Sequence, residues 1–347
     1  MTNATPAQVS AARGCMLGLT LGDALGATAG TIPDSGLLNA TSAGQLACFT
    51  AEGIIRGHIR CVLKGNSHPR GQVWHAYHRW ATMQGITGIK RWQDQDWPDG
   101  WLAEVPALAA RRGSAPATVA ALQSSMMGTV ETPVATSVGA HGLTRSLPAG
   151  LCDWWGSPPG PFAADVAALA HAAEAQGAAA IGATIVAYCG KGDRFEEAVA
   201  GAERECRNLP AGPTHLPLVA EALAAARATP ADQAVLTRLA PKATAVSALA
   251  GAVYVVASHP EREQTGQALL FAASTAFGRH VAPAAGAFLG SLHGADALPQ
   301  GLVSRLELAW VADVLARDLV TEFVDGPAGS GYEPPTDPYW WERYPGW

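Results

Sequence analysis

Four glycines constrain this chain more than any other feature. Gly14, Gly18, Gly22 and Gly26 recur every four residues in "GCMLGLTLGDALGA". A spacing of four returns each to the same side of an α-helix, so one side carries no side chains. Glycine costs a helix interior roughly 1 kcal/mol relative to alanine, so a row of four is tolerable only where another element presses on the bare backbone. In a membrane such a stripe would read as a dimerising helix. No stretch of the 347 residues gives 18 uninterrupted apolar positions, and the nearest, Ala178–Tyr188, is short and alanine-rich. The stripe therefore predicts a buried central helix whose backbone touches its neighbours.

The remainder of the chain agrees with that prediction. Strand signals are scarce, and alanine-rich windows with helical spacing dominate: 7–26, 43–63, 71–85, 162–189, 216–226, 243–258, 264–293 and 302–323. Gly/Pro/Ser loops such as "GTIPDSG" and "WPDGW" separate them. No repeat of fixed period and no linker composition divides the chain. The reading is all-α: one compact domain over 1–330. A Pro- and Trp-rich tail over 331–347 packs on that domain or on a partner subunit, so a homodimer stays open.

Composition narrows the function. Apolar residues make up 48% and charged residues 15%, which suits a globule with a large core, not a disordered binder. A net charge of −6 with no Lys/Arg run argues against a nucleic-acid surface. Six scattered cysteines without a C-x-x-C pair predict buried free thiols in a reducing compartment. The first residues lack a basic region followed by an apolar core and cleavage site. A cytoplasmic protein with no membrane partner is expected. No serine elbow, P-loop, zinc-spaced cluster or dinucleotide fingerprint is visible.

Several segments, in order, resemble the bacterial branch of the ADP-ribosylglycohydrolase family. The G-D-A-L-G helix at 14–27 is one. "TAEGIIRGHIR" from Thr50, "YHRWATMQG" from Tyr77, "PVATSVGAHGLTRSLPAGL" from Pro133, "AALAHAAEAQG" from Ala167, "AGAFLGSLHGADALP" from Ala285 and "WWERYPGW" are the others. The resemblance implies a compact all-α fold with a central cleft that hydrolyses glycosidic bonds to ADP-ribose. It also implies two magnesium ions, held by a T-D-D-T motif near the start and a G-D-x-D-[ST] motif near the end.

The departures matter more. The first slot reads Thr41-Ser42-Ala43-Gly44 and the second Ala276-Phe277-Gly278-Arg279-His280, so all four aspartates are gone. A glutamate that members often carry after G-D-A-L-G falls near Gly30 and is absent too. Magnesium needs hard oxygen ligands, usually carboxylates. No metal and no cofactor is therefore expected.

What replaces the aspartates is ionisable. Arg279 and His280 are candidates for gripping an anion and moving a proton. The plainer alternative is a surface pair. His141 replaces a glycine in the ligand-type loop and joins them as a catalytic candidate. Asp23 of G-D-A-L-G is either a catalytic acid or, more simply, a hydrogen-bonder between helices. Gln45, Gly139, Gly142, Arg145, His171 and Phe277 are candidate ligand contacts. The simpler roles there are an ordinary glycine turn and a satisfied core histidine. Glu52 reads as a helix-surface or packing residue. Asp94, Asp96 and Asp99 among Trp92, Trp97 and Trp101 read as a solvated loop or a lid.

Three functions stay open. One is metal-free hydrolysis of an N-glycosidic bond in a ribosyl or ADP-ribosyl molecule derived from NAD, in specialised metabolism. An N-ribosyl bond to a good leaving group breaks through an oxocarbenium-like state that needs positioning and a water, not a metal as such. The second is a silent ADP-ribose-binding relative. The third is an isomerisation or cyclisation in the same cleft.

Overall fold

The computed structural model describes residues 4–91, 97–124, 126–152, 158–209, 212–330 and 333–345. Trp92, Asp94, Asp96 and Trp347, singled out above, lie outside them. Every regular element among the described residues is a helix, and extended pairing is limited to isolated bridges, Leu38 with Leu306 and Gly139 with Thr244. No described helix is long and apolar enough to cross a membrane.

The glycine stripe organises the core. Helix α1 (Pro6–Ala27) opens on a capping box between Thr5 and Gln8, with Pro6 at the first helical position. It runs antiparallel to the Gly278–His293 helix. A Cβ added to Gly14 would lie 2.0 Å from the Gly290 carbonyl oxygen, one on Gly18 2.1 Å from Gly286 O, one on Gly22 2.1 Å from Ala282 O, and one on Gly26 2.6 Å from the Arg279 Cα. The bareness is reciprocal: added Cβ atoms on Gly286 and Gly290 would meet Gly18 O and Gly14 O at 2.0 and 1.8 Å. Two backbones thus touch along four turns, as the spacing predicted.

Around this pair pack α2 (Ser42–Lys64), α3 (Pro69–Met83) and the helices Ala173–Gly190, Ala245–Ser258 and Ala309–Val324. Helix α2 ends on Gly65 in the left-handed region, φ 69°. The cysteines form no disulfide, and all but half-buried Cys61 are buried; burial pushes the thiols of Cys15 and Cys48 up to about 12.

Two predicted helices need correction. The 162–189 window is two helices, Pro159–Ala168 and Ala173–Gly190, and the 264–293 window is Thr265–Ala273 and Gly278–His293. The first turns at Leu169–Ala172. The second turns at Ser274–Phe277, where Gly278 sits so tightly on the preceding helix that a Cβ would lie 2.2 Å from Ala273 O. Both breaks carry candidate site residues.

Residues 340–345 of the tail pack on the domain. Trp340 Nε1 donates to Glu322 at 2.7 Å, Tyr344 donates its hydroxyl to Asp318 at 2.6 Å, and Arg343 pairs with Asp318 at 2.7 Å.

Candidate functional site

The antiparallel pairing of α1 with the Gly278–His293 helix sets the last turn of the first against the first turn of the second. Asp23 and Gly26 therefore lie near Gly278, Arg279 and His280, and the start of α2 joins them through Asp23. The carboxylate of Asp23 is 1% exposed. Its Oδ2 accepts from the backbone N–H groups of Thr41 (2.6 Å) and Gly44 (3.0 Å), and its Oδ1 accepts from the Thr41 hydroxyl (2.8 Å). Thr41 is also the N-cap of α2, its side chain accepting from Ala43 N at 3.1 Å. Burial raises the Asp23 pKa; the hydrogen bonds from Thr41 and Gly44, and the charge of Arg279, oppose the rise.

Of the two roles named for Asp23, this geometry fits the hydrogen-bonder between helices. Its oxygens are engaged in tethering α1 to the start of α2. The helix start that lacks acidic residues of its own takes a carboxylate from the neighbouring helix, where the positive end of the helix dipole favours it. Gly44 is part of this arrangement: a Cβ there would lie 2.8 Å from Asp23 Oδ2.

Gln45 and Arg145 are corrected. The Gln45 amide donates to the carbonyls of Ala107 (3.0 Å) and Ala110 (2.9 Å) and accepts from Trp80 Nε1 (3.2 Å). The guanidinium of Arg145 is fully buried. It donates to Thr118 and to the carbonyls of Val166 and Ala167, and lies 4.8 Å from the Tyr77 ring centroid. Both residues brace the fold. Gly142 has a packing reason of its own, because its Cβ would meet Ala175 Cβ at 2.9 Å and His171 Cγ at 3.0 Å.

The remaining candidates converge. The loop at 138–140 pairs with 243–245, Ala140 N donating to Ala243 O and Ala245 N to Val138 O at 3.1 and 2.9 Å. That pairing presents Gly139 and half-buried His141 beside His171. A Cβ on Gly139 would lie 3.4 Å from Ser137 Oγ and 3.9 Å from His171 Nε2, ordinary van der Waals contacts. His171 is buried and its Nδ1 has no hydrogen-bond partner. His141 lies within the fields of Arg145, His280 and Arg279. Burial first, and those charges second, push its pKa down to about 4. His280 is half-buried and pushed down to about 4 by burial and Arg279. Burial also holds His171 well below the ordinary histidine value. Arg279 is exposed, and Phe277 caps its helix half-buried. Near pH 7 the cleft therefore offers one exposed guanidinium and neutral imidazoles.

Such a set does not fit two magnesium ions. Among the described residues, no three His, Cys, Asp or Glu side chains are grouped to hold a metal. The carboxylate beside the two slots, Asp23, is already engaged, and a cation stands in the second slot.

Glu52 is a packing residue, in a way spacing alone did not reveal. It is fully buried and pairs with Arg56 and Arg79, each at 2.7 Å. Asp99 completes the cluster at 3.0 Å from Arg56. The spacing of Glu52 and Arg56 was a visible signal of that pair; Asp99 and Arg79 come from outside α2 and left none.

Comparison identifies the class to which this fold belongs. The profile described as ADP-ribosylglycohydrolase matches residues 4–328. The chain belongs to that family. A solved structure titled "ADP-ribosylglycohydrolase-related protein complex" is similar at 19% identity and a TM-score of 0.58, over 91% of this chain and 99% of that one. That likeness concerns the fold. Comparison with curated proteins gives no match.

Proposed function

We propose that the cleft binds a ribosyl or ADP-ribosyl small molecule and hydrolyses its N-glycosidic bond without a metal. The observation that carries this reading is the convergence of Arg279, His280 and His141 where the family places its second metal motif and its ligand loop. Arg279 takes the ligand's phosphate in a charge-assisted contact. A neutral imidazole of His141 or His280 accepts a proton from water as that oxygen attacks the anomeric carbon. The bonding pair of the broken C–N bond leaves with the nitrogen group.

The depressed histidine pKa values narrow the substrate. An imidazole titrating near 4 is a poor proton donor at pH 7. The leaving nitrogen must depart without protonation, as the pyridinium of a nicotinamide riboside does. An N-ribosyl pyridinium fits this requirement, whereas ADP-ribosyl-arginine, whose leaving group needs a proton, does not.

The test is turnover of NAD and nicotinamide riboside by the purified chain in EDTA, followed by chromatography of released nicotinamide. Release expected in EDTA supports the reading. Binding without release supports the silent ADP-ribose-binding alternative, which the full engagement of Asp23 favours. A product with the glycosidic bond intact would indicate isomerisation or cyclisation.

A further inference from the structure

A second concavity shares no lining residue with the cleft. It lies between the last turns of α2 and the first half of α3, closed by Lys90, Ser124 and Met127, and has a volume of about 530 Å³. That is the size of a small-molecule site. Among the described residues its wall carries Arg60, His68, His75, His78 and Lys90 and no Asp or Glu, in a chain whose net charge is −6.

The wall is built from fixed parts. Trp74 and His78 are 5% and 1% exposed, and their rings meet edge-on at 4.8 Å. Arg60 makes no ion pair with a carboxylate among the described residues. The start of α3 opens here as well. His68 is its N-cap and provides no side-chain cap, so N–H groups of the first turn stay unsatisfied at the positive end of the helix. Gly71 makes room for the His68 ring, since a Cβ would come 2.7 Å from His68 Nδ1. Burial first, then the charges of Arg79, His78 and Arg60, push the pKa of His75 down to about 4, while Asp99 opposes them.

We infer that this cavity binds a phosphate ester of mononucleotide size, its phosphate held by Arg60 at the open start of α3 and its organic part against Trp74 and Met127. The site is independent of the hydrolytic reading of the cleft.

The experiment is calorimetric titration of the full chain at low ionic strength with AMP, adenosine and orthophosphate. AMP is expected to bind, adenosine to show no heat, and orthophosphate to bind more weakly than AMP. Arg60→Gln should weaken AMP at least tenfold, the effect of losing one charge-assisted contact. His68→Glu, at an exposed position, should abolish binding while the melting temperature holds, and it carries the test should Arg60→Gln misfold. The Arg60-dependent part of AMP binding should persist in Arg279→Gln, whatever that change does to phosphate binding at the 277–280 segment. Binding lost in Arg279→Gln but kept in Arg60→Gln would assign the nucleotide to the cleft and overturn the proposal. Absence of AMP binding at millimolar concentration would do the same. Adenosine matching AMP would remove the phosphate from the site, and orthophosphate matching AMP would overturn the assigned size.

Discussion

The start of α2 supplies three donors to the buried Asp23 carboxyl, and these offset part of the cost of burying it. Asp23→Asn leaves one oxygen and turns an NH2 group toward donors. We expect a loss of about 1–3 kcal/mol, read from the urea midpoint, with residual turnover in proportion to folded protein. Turnover abolished in a fully folded variant would instead restore Asp23 as a catalytic acid. At Arg279 the expected outcome is different. Arg279→Lys should fold normally and recover only part of the affinity for ADP-ribose, since an ammonium lacks the two-pronged geometry. For His280 the prediction is a pH profile. Activity should rise between about pH 3.5 and 5 and stay flat through pH 7, following the depressed imidazoles. A limb centred at 6.5 would show an ordinary histidine at work. The sequence made these residues visible because departures from a motif stand out. It hid the engagement of Gln45 and Arg145, because most of their partners are carbonyls, of Ala107, Ala110, Val166 and Ala167, and a backbone carbonyl leaves no trace in residue identity.

At the level of helices, the four-residue glycine spacing was legible and its partner was not, although Gly286 and Gly290 repeat the same interval. The partner could be found only once 278–293 was seen as a helix of its own. Continuous alanine-rich periodicity concealed the breaks at 169–172 and 274–277, because Ala, Leu and Phe read as helix on either side of a turn. The close contact gives a direct test. Gly18→Ala forces a methyl onto the Gly286 carbonyl, and overpacking of this kind costs roughly 1–3 kcal/mol. At about 2–4 °C per kcal/mol, the melting temperature should drop by several degrees. Gly190→Ala, with no atom within 4 Å of its added Cβ, should leave it level or slightly raised. Equal effects at the two positions would contradict the backbone contact.

Across the whole molecule, pH couples the cleft and the second cavity to stability. The imidazoles of His75, His141 and His280 titrate near 4 in the folded chain, against 6.5 when exposed. Between those values the unfolded chain binds protons that the folded one does not. Stability is therefore complete above about pH 6.5 and falls as pH drops toward 4. Asp23, Asp318 and Glu322 act in the opposite sense, because their raised pKa values let the folded chain take up protons first. With His78, His171 and His293 shifted down as well, the net expectation is a lower urea midpoint at pH 5 than at pH 7.5; a midpoint that rises on acidification would mean the carboxylates dominate. Of the long-range architecture, the buried Glu52–Arg56–Arg79–Asp99 cluster was least legible. It joins α2, α3 and the 97–100 loop, and Arg56 also donates to the Pro345 carbonyl at 3.2 Å. Each charge taken alone reads as a solvated surface residue.

The tight seam between α1 and the Gly278–His293 helix also bears on how the chain is made. The two halves of the seam are separated by roughly 250 residues, which a ribosome adds at about 5–20 per second. For some tens of seconds a finished α1 must wait without the native partner of its bare face. Newly synthesised chain should accordingly depend on chaperones through most of its translation and become protease-resistant late, once the segment from 278 has emerged.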